Sequence, residues 1–451
     1  MKTVGIIAEY NPFHNGHAYQ ISKVRKERQA DFVVVAMSGD FVQRGTPAII
    51  DKYTRTRMAL CTEADLVIEI PVLYATSSAE SFAMAGITLF DKMGCIDEIC
   101  FGAETDSLPL LSEIADVLAE EPEVYRTALA SNLKKGMNFP SARAKALCDA
   151  FGSISLNAPS QETLSALLNA PNNILALEYL KALKKRHSNI QPFLLQRNGA
   201  GYHDVNILSD SKKPGASATA IRNLLQSKEI SEMGGIKDLL ETVMPAHARF
   251  ILLNYLSEQP ALSVNDFSQI LGYQLLRCKD NDFDHIYDIT PEIANRIKNN
   301  LYQYKSFSQF CELNKSRDIT YTRISRILLH LLLSLTSNEE QLGRQLDYIP
   351  YLRMLGFQKD ASPLLSVLKE SASVPVISKL SAAKNILSAD SLRLLQTDIF
   401  ASELYRQVRA VKESHSDHPS PGHSFSSEYS QKIVIVSHQA DSFSDGTDEF
   451  L

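Results

Sequence analysis

The sequence predicts an α/β fold, in which a doubly wound parallel sheet is followed by a mainly α-helical C-terminal region. Two observations predict it. Over residues 1–197, apolar β-rich runs alternate with segments of helical apolar spacing, which is typical of parallel strands joined by right-handed helical crossovers. Beyond Gly234 and Gly235, which predict a domain boundary, the spacing is mainly helical to about residue 411.

The elements follow in order along the chain. The predicted strands are Val4–Ala8, Asp31–Met37, Ala64–Pro71, Asp97–Gly102 and Ile190–Arg197. The predicted helices are 18–28, a helix opening at 51, 74–93, segments within 107–170, and 171–186. Pro71 ends its strand because proline has no N–H to donate, and Pro171 suits the first turn of a helix. The run 351–357 is interpreted as a helix end with Gly356 as its cap.

The length of 451 residues is too great for one ordinary domain. We expect a first domain over 1–233 and a helical domain over 236–411. Beyond Glu413 the composition shifts to Ser, His, Asp, Pro and Gly, so 413–451 is predicted to be a disordered tail, apart from the short apolar run Ile433–Val436.

Composition excludes several classes of protein. The net charge of −6 argues against a surface coated in cations, although it allows a local basic patch. No apolar run is long enough to span a bilayer, and the N-terminus has no signal-peptide pattern. Six scattered cysteines without a CxxC pair indicate reduced thiols and no zinc framework. We therefore expect a cytoplasmic protein with no resident metal site.

The strongest local signal is His14-Asn15-Gly16-His17, which lies between the first strand and the first helix. A helix N-terminus has free N–H groups and the positive end of the dipole, so it suits an anion. Gly16 allows a ligand to approach the backbone, and both imidazoles can lean toward the same phosphate oxygens. The alternative is two surface histidines in a polar turn.

Several other polar segments follow predicted strands. Residues 38–45 form a glycine-punctuated loop, in the position where open α/β sheets bind ligands. The helix opening at Asp51 is rich in cations, which indicates either a solvated face or phosphate contacts. Ser217, Thr219 and Arg222 place two hydroxyls and a guanidinium at a helix start, which suits a second phosphate contact or an ordinary N-cap.

One stretch of the helical region combines cations, hydroxyls and a tyrosine. Its candidate RNA-binding residues are Lys315, Arg317, Tyr321, Arg323 and Arg326. Cations suit the RNA backbone, and a tyrosine can stack on an unstacked base. Taken alone, the stretch is more typical of a polar helix face than of an RNA site.

The motif at 14–17 resembles the HxGH signature of the Rossmann-like nucleotidyltransferase superfamily. Ser217, Thr219, Ile221 and Arg222 fit its second signature, although Ala216 replaces the usual isoleucine. Five segments narrow the resemblance to the bacterial tRNA(Met) cytidine acetate ligase family. They are EYNPFHNGH at 9–17, MSGDFVQRG at 37–45, DLVIEIP at 65–71, FGAE at 101–104 and PNNI at 171–174. The resemblance runs from residue 1 to about 410.

The resemblance implies a ligase with acetate and elongator tRNA(Met) as partners and no membrane association. Acetate would attack the α-phosphate of ATP, giving acetyl-adenylate and pyrophosphate. The acetyl group would then pass to the wobble cytidine, giving N4-acetylcytidine and AMP. ATP is a substrate, accompanied by Mg²⁺, and there is no tightly bound cofactor.

The resemblance also implies site residues. His14, His17 and Arg222 are the expected catalytic residues. The expected ATP-binding residues are Ile7, Ala8, Glu9, Tyr10, Asn11, Pro12, Phe13, His14, Asn15, Gly16, His17, Ala18, Tyr19, Gln20, Gly102, Asn172 and Arg197, with Ser217 and Thr219 from the second signature.

Adenylyl transfer needs charge stabilisation rather than a protein nucleophile, because acetate is the nucleophile. Asp40 and Glu104, in loops at strand ends, are candidates to take the proton from the cytidine amine. Two other functions stay open. One is a nucleotidyltransferase that adenylylates a small metabolite or mononucleotide, and the other is a non-catalytic RNA-binding protein on the same core.

Overall fold

The structure is a computed structural model, and it describes residues 1–137, 139–154, 159–197, 218–226, 233–278, 283–414 and 426–437. The strands are β1 Thr3–Ala8, β2 Phe32–Ser38, β3 Phe41–Val42, β4 Thr46–Pro47, β5 Leu66–Ile70, β6 Glu98–Ala103, β7 Gln191–Gln196, β8 Leu352–Gln358, β9 Val376–Ile377 and β10 Val434–Val436.

The helices alternate with the strands in the first part of the chain and dominate the rest. They are α1 Asn15–Arg28, α2 Lys52–Leu60, α3 Val72–Ala75, α4 Ala79–Met93, α5 Leu108–Glu120, α6 Glu123–Lys134, α7 Phe139–Ile154, α8 Gln161–Asn169, α9 Pro171–Lys185, α10 Ala218–Gln226, α11 Met233–Val243, α12 Ala246–Glu258, α13 Ser268–Cys278, α14 Pro291–Asn300, α15 Phe307–Asn314, α16 Tyr321–Leu333, α17 Ser337–Gln345, α18 Ser362–Ser371, α19 Ala383–Ile386 and α20 Ala389–Ser414.

One eight-stranded sheet organises the molecule, with the order β10-β8-β5-β2-β1-β6-β7 and β9 paired to β8. The neighbours from β5 to β7 are all parallel, which confirms the predicted doubly wound parallel arrangement for the five strands read from the sequence. Because these five strands run in one direction, their carboxyl ends and the loops that follow them meet at one edge of the sheet.

Both faces of the sheet are buried. In β2, Val33 and Val35 pack in one core with residues of α1 and α12, whereas Val34 and Ala36 pack in the other with residues of α4 and α9. This is the alternation of a strand covered on both sides. The second of these cores extends without a break into the C-terminal helices, for example to Ile327 of α16.

The run 351–357 is a strand, so its interpretation as a helix end was wrong. β8 pairs antiparallel with β5, extending the sheet beyond the parallel strands. Gly356 is not a helix cap. A Cβ there would lie 2.5 Å from the Val434 carbonyl oxygen and 2.8 Å from Thr56, so glycine allows β10 and α2 to approach β8.

Within the predicted tail, residues 426–437 have a defined structure, which includes most of the apolar run Ile433–Val436 that was excepted from the predicted disorder. β10 pairs in parallel with β8, and the fully buried Glu428 enters a cluster of charges that we call the buried ionic cluster: Lys52, Glu69, Arg353, Arg406 and Glu428. Lys52 lies 2.8 Å from both Glu69 and Glu428, and Arg353 lies 3.1 Å from Glu69. The predicted domain boundaries stay a prediction, although β8 and β10 place later parts of the chain in the first domain's sheet.

Among the described residues, no helix is long and apolar enough to cross a membrane. All six cysteines lie in described positions, and none of them forms a disulfide.

Candidate functional site

Two stacked histidines stand at the start of α1, directly after β1. The His14 Nδ1 atom accepts a hydrogen bond from the Gly16 N–H at 3.0 Å, and the His17 Nδ1 atom accepts one from the His14 N–H at 3.2 Å. The two rings stack with centroids 3.7 Å apart. A Cβ at position 16 would lie 2.8 Å from the His14 ring, so glycine is required for this arrangement.

These bonds fix which ring nitrogen carries the proton. Burial, with smaller contributions from Arg197 and Arg222, lowers the pKa of His14 to about 3. Burial also holds the pKa of His17 well below its usual range, with His14 and Arg197 acting in the same direction. Both imidazoles are therefore neutral. Because each Nδ1 is an acceptor, each Nε2 carries the hydrogen and can donate it to a ligand oxygen.

The loop between β1 and α1 is held rigidly by its own rings and by distant residues. Tyr10 adopts a positive φ of 47°, and its ring packs 4.8 Å from Phe13 and 4.7 Å from His17. The Asn11 side chain accepts a hydrogen bond from the Ile49 N–H at 2.8 Å. The histidines thus stand on a loop that is preorganised before any ligand arrives.

Arg222 reaches this loop from α10. Its guanidinium donates to the Asn11 carbonyl oxygen at 2.7 Å and to the Thr219 hydroxyl at 2.9 Å. Burial lowers the pKa of Arg222 to about 10. The structure therefore brings Arg222 and Thr219 to the histidine loop, while Ser217 lies outside the described residues.

A second group of predicted residues gathers at the carboxyl ends of β6 and β7. The Arg197 guanidinium donates to the Asn172 side-chain oxygen at 2.9 Å. A Cβ on Gly102 would lie 3.1 Å from the Arg197 side chain, so glycine at this position leaves room for the arginine to pack against β6. Burial lowers the pKa of Arg197. We call His14, His17, Arg197 and Arg222 the anion cradle, because all four direct hydrogen-bond donors or positive charge to one edge of the sheet.

The neighbouring Asn172 and Asn173 differ in their surroundings. Asn173 is buried, and its side-chain oxygen accepts the Glu104 N–H at 2.9 Å and the Thr105 N–H at 3.2 Å. Asn172 instead faces Arg197. Its amide also donates to the Glu104 carboxylate at 2.7 Å. The geometry therefore supports Asn172, rather than Asn173, as the asparagine that faces a ligand.

The remaining predicted residues have varied roles. Gln20 donates to the Cys100 carbonyl oxygen at 3.2 Å, and Asn15 donates to the Thr242 carbonyl oxygen at 3.0 Å. Tyr19 is 48% exposed, and the Lys23 ammonium lies 5.5 Å from the centroid of its ring. Ile7 and Ala8 lie within or at the end of β1.

Two of the three cations of α2, Lys52 and Arg55, are fully buried and fit neither alternative drawn from the sequence, whereas Arg57 is exposed. Arg55 donates to the carbonyl oxygens of Glu9 at 2.6 Å, Ser38 at 3.0 Å and Ile50 at 3.2 Å, and also to that of Gly39. It joins the loops after β1 and β2. The sequence contained one signal for this role, which is that Arg55 lies in the first turn of a helix that follows the loop after β2. The carbonyl groups that Arg55 contacts could not be predicted from the sequence.

The predicted RNA-binding stretch has exposed and buried members. Arg317 is exposed, and Lys315 is half-exposed and paired with Glu312 at 2.5 Å. Tyr321 is partly buried at the start of α16. Arg323 and Arg326 lie 3.3 and 3.8 Å from the Asp288 carboxylate. The stretch is therefore a set of partly neutralised cations rather than an open basic face.

Neither predicted proton acceptor is free. Asp40 is buried and accepts the Lys52 N–H at 2.8 Å, and burial raises its pKa. Glu104 accepts hydrogen bonds from the N–H groups of Asn172 and Asn173, at 3.2 and 2.8 Å, at the start of α9. In the part of the chain that the structure describes, no group of three His, Cys, Asp or Glu side chains could hold a metal ion.

Comparison with known proteins gives concordant matches. A family model described as HIGH nucleotidyl transferase matches residues 1–419. A tRNA(Met) cytidine acetate ligase of Caldanaerobacter subterraneus subsp. tengcongensis is 39% identical over 405 residues, which cover 90% of this chain and 95% of that protein. One of Clostridium perfringens is 35% identical over 418 residues, which cover 93% of this chain and 98% of that protein.

The fold comparison agrees. The crystal structure of Thermotoga maritima TmcAL bound with alpha-thio ATP matches with a TM-score of 0.85 and 28% identity, covering 97% of this chain and 100% of that chain. An apo form of the same protein matches with a TM-score of 0.86. The fold class and the resemblance predicted from the sequence are confirmed.

Proposed function

The chain belongs to the tRNA(Met) cytidine acetate ligase family of HIGH nucleotidyl transferases, and we propose that it joins acetate to the wobble cytidine of elongator tRNA(Met) at the expense of ATP. The product is N4-acetylcytidine, and AMP and pyrophosphate are released. The observation that carries this proposal is the anion cradle, in which two neutral Nε2–H donors and two arginines face one edge of the sheet.

The first step is attack of an acetate oxygen on the α-phosphorus of ATP, and pyrophosphate leaves. The transition state carries its charge on phosphate oxygens, so fixed donors supply most of the catalysis. His14 and His17 donate from Nε2, and the N-terminus of α1 adds its N–H groups and dipole. Arg222 and Arg197 offset the charge of the pyrophosphate and of the adenylate.

We assign ATP-binding roles to the other residues that were expected to bind ATP. The backbone of residues 7–20 lines the phosphates, and Gly102, Asn172 and Arg197 form the neighbouring wall. Mg²⁺ bound to ATP would neutralise phosphate charge, and its ligands would be phosphate oxygens and waters, since it dehydrates reluctantly.

The second step is attack of the cytidine N4 amine on the acetyl carbonyl carbon. The exocyclic amine of cytidine is a weak nucleophile, so positioning of the base against acetyl-adenylate contributes much of the rate. We assign contact with the tRNA backbone to the stretch 315–326, because α16 packs directly on the loop after β2. The Ser325 hydroxyl donates to the Gly45 carbonyl oxygen at 2.8 Å.

Acetate-dependent exchange of label between pyrophosphate and ATP tests the first step. We expect acetate to stimulate exchange in the absence of tRNA. Stimulation by a mononucleotide instead of acetate would favour an enzyme that adenylylates a small metabolite. A protein that binds tRNA without either exchange would be the non-catalytic alternative, against which the intact anion cradle argues.

A further inference from the structure

Glu9 lies at the carboxyl end of the central strand, across that strand from the histidines. Along β1, Gly5 and Ile7 face α4, since a Cβ on Gly86 of α4 would lie 2.4 Å from Ile7. Glu9 follows β1 directly, and its carboxylate acts electrostatically on the Tyr179 hydroxyl of α9, so it lies near the face covered by α4 and α9. The histidines instead belong to α1, on the opposite face.

The Glu9 carboxylate is anchored through one oxygen only. Its Oε1 atom accepts the Gln43 N–H at 3.0 Å, and its main-chain oxygen accepts a hydrogen bond from Arg55 at 2.6 Å. Within the described ranges, Oε2 accepts no hydrogen bond and Glu9 forms no ion pair. The side chain is half-buried. It is therefore a fixed carboxylate that retains one oxygen for an incoming donor.

Electrostatic effects place Glu9 between the anion cradle and the other face of the sheet. Burial lowers the pKa of Arg222, and the Glu9 carboxylate opposes that shift. Burial raises the pKa of Tyr179 on α9, and Glu9 adds to it. An anionic side chain repels the ATP phosphates, so the carboxylate is poorly suited to hold them. The negative charge of the Glu9 carboxylate is better suited to accepting a proton.

The loop after β2, which holds the Glu9 carboxylate through Gln43, also packs against α16. A Cβ on Gly45 would lie 2.4 Å from the Arg326 backbone nitrogen, so loop and helix are in direct contact. The same few residues therefore join the carboxylate, through Gln43, to the helix that we assign to tRNA. This is where a base held by α16 could meet an acetyl group held at the cradle.

We propose that Glu9 is the catalytic base of acetyl transfer and takes the proton from the cytidine N4 amine. The assignment rests on the proposed function. The N4–C bond forms as the bond between the acetyl carbon and the phosphate oxygen breaks, AMP leaves, and Glu9 takes the N4 proton and later releases it to water. Asp40 and Glu104 cannot do so, because one is buried against α2 and the other is bonded to the start of α9.

Glu9→Gln tests the proposal, because glutamine keeps an oxygen for the Gln43 N–H but cannot take a proton at neutral pH. Two rates are measured: acetate-dependent ATP–pyrophosphate exchange, and single-turnover transfer to tRNA from preformed acetyl-adenylate. We expect transfer to fall by about 10²- to 10⁴-fold, the range of general base catalysis, and exchange to fall far less, because the substitution keeps the Glu9 backbone that lines the phosphates. With Glu9→Ala, added formate should restore part of the transfer rate, which a merely structural role would not allow.

Glu80→Gln is the matched control, since it removes a carboxylate from the first turn of α4, where Glu80 is 56% exposed and pairs with Lys181. It should leave both rates unchanged. Wild-type transfer by Glu9→Gln would overturn the proposal, and so would parallel losses of exchange and transfer. Failure of the wild-type protein to catalyse either reaction would instead refute the proposed function.

Discussion

Two groups of charged side chains lie near the same sheet, one buried and one partly exposed, and they are balanced in different ways. In the buried ionic cluster, Glu428 contacts Lys52, Arg353 and Arg406 with its two oxygens. In the anion cradle, Arg222 and Arg197 donate to a carbonyl, a hydroxyl and an amide, and neither pairs with a carboxylate among the described residues.

The difference between the two groups is visible in the pKa values of their arginines. Burial alone would lower the pKa of Arg353, but Glu69 and Glu428 hold it well above its usual value. Burial lowers the pKa of Arg222 to about 10, with less compensation. A partly buried positive charge that no carboxylate neutralises, such as Arg222, is suited to an anionic ligand, whereas a buried and neutralised one stabilises the fold.

Removing the acid of the ionic cluster should have the largest effect on stability. Glu428→Ala leaves Lys52, Arg353 and Arg406 with one carboxylate, so the free energy of unfolding should fall by about 3–5 kcal/mol. Urea denaturation measures it. ATP affinity of the folded fraction should not change. An unaltered free energy of unfolding would show that residues 426–437 are not coupled to the core.

Removing a hydrogen-bond donor of the anion cradle should lower activity rather than stability. His17→Ala should lower acetate-dependent ATP–pyrophosphate exchange by about 10²- to 10³-fold, the loss seen when one fixed transition-state donor is removed. Binding of tRNA should be nearly intact, and a filter-binding assay checks it. Loss of tRNA binding with exchange retained would contradict this division of roles.

The neutral state of His14 should make stability depend on pH. Its pKa is about 3 when folded, against 6.5 as the ordinary value, so below pH 6.5 the unfolded chain binds the extra proton. Unfolding free energy should therefore fall as pH drops from 6.5, by about 2 kcal/mol at pH 5 from this group. His14→Asn keeps a helix-capping side chain and should remove that part of the slope. An identical pH dependence of wild type and variant would mean that His14 binds a proton as readily in the folded protein as in the unfolded chain.

In the neutralisation of its charge, Arg323 is intermediate between the buried ionic cluster and the anion cradle, because Asp288 neutralises it only in part. Arg323→Ala should weaken tRNA binding modestly and reduce the slope of log affinity against log salt by about 1. Arg126→Ala is the control, since Arg126 also pairs with a nearby carboxylate but lies on α6. A slope unchanged in Arg323→Ala would remove α16 from the RNA-binding surface.

Local signals explain what the sequence could predict. The parallel strands have continuous apolar runs, and the histidine motif lies within a few residues of its strand and helix. β8 was missed because Arg353 and Gly356 interrupt its pattern. Its partners, β5 and β10, are distant in the chain.

The same reason explains why the burial of Lys52 in α2 was not predicted. Lys52 is buried because Glu428 reaches it from 376 positions along the chain, a relation that no local pattern contains. In the site, the sequence indicated the residues that follow the strands. It could not show that Arg55 braces the loops, or that Asn173 and Glu104 bond to each other's backbone.

The most direct test is to incubate the protein with ATP, labelled acetate and bulk tRNA, then digest the tRNA and separate its nucleosides. The proposed function predicts labelled N4-acetylcytidine that requires ATP. It should be lost with His17→Ala and retained by the folded fraction of Glu428→Ala. Absence of labelled acetylcytidine with the wild-type protein, or label that appears without ATP, would contradict the account.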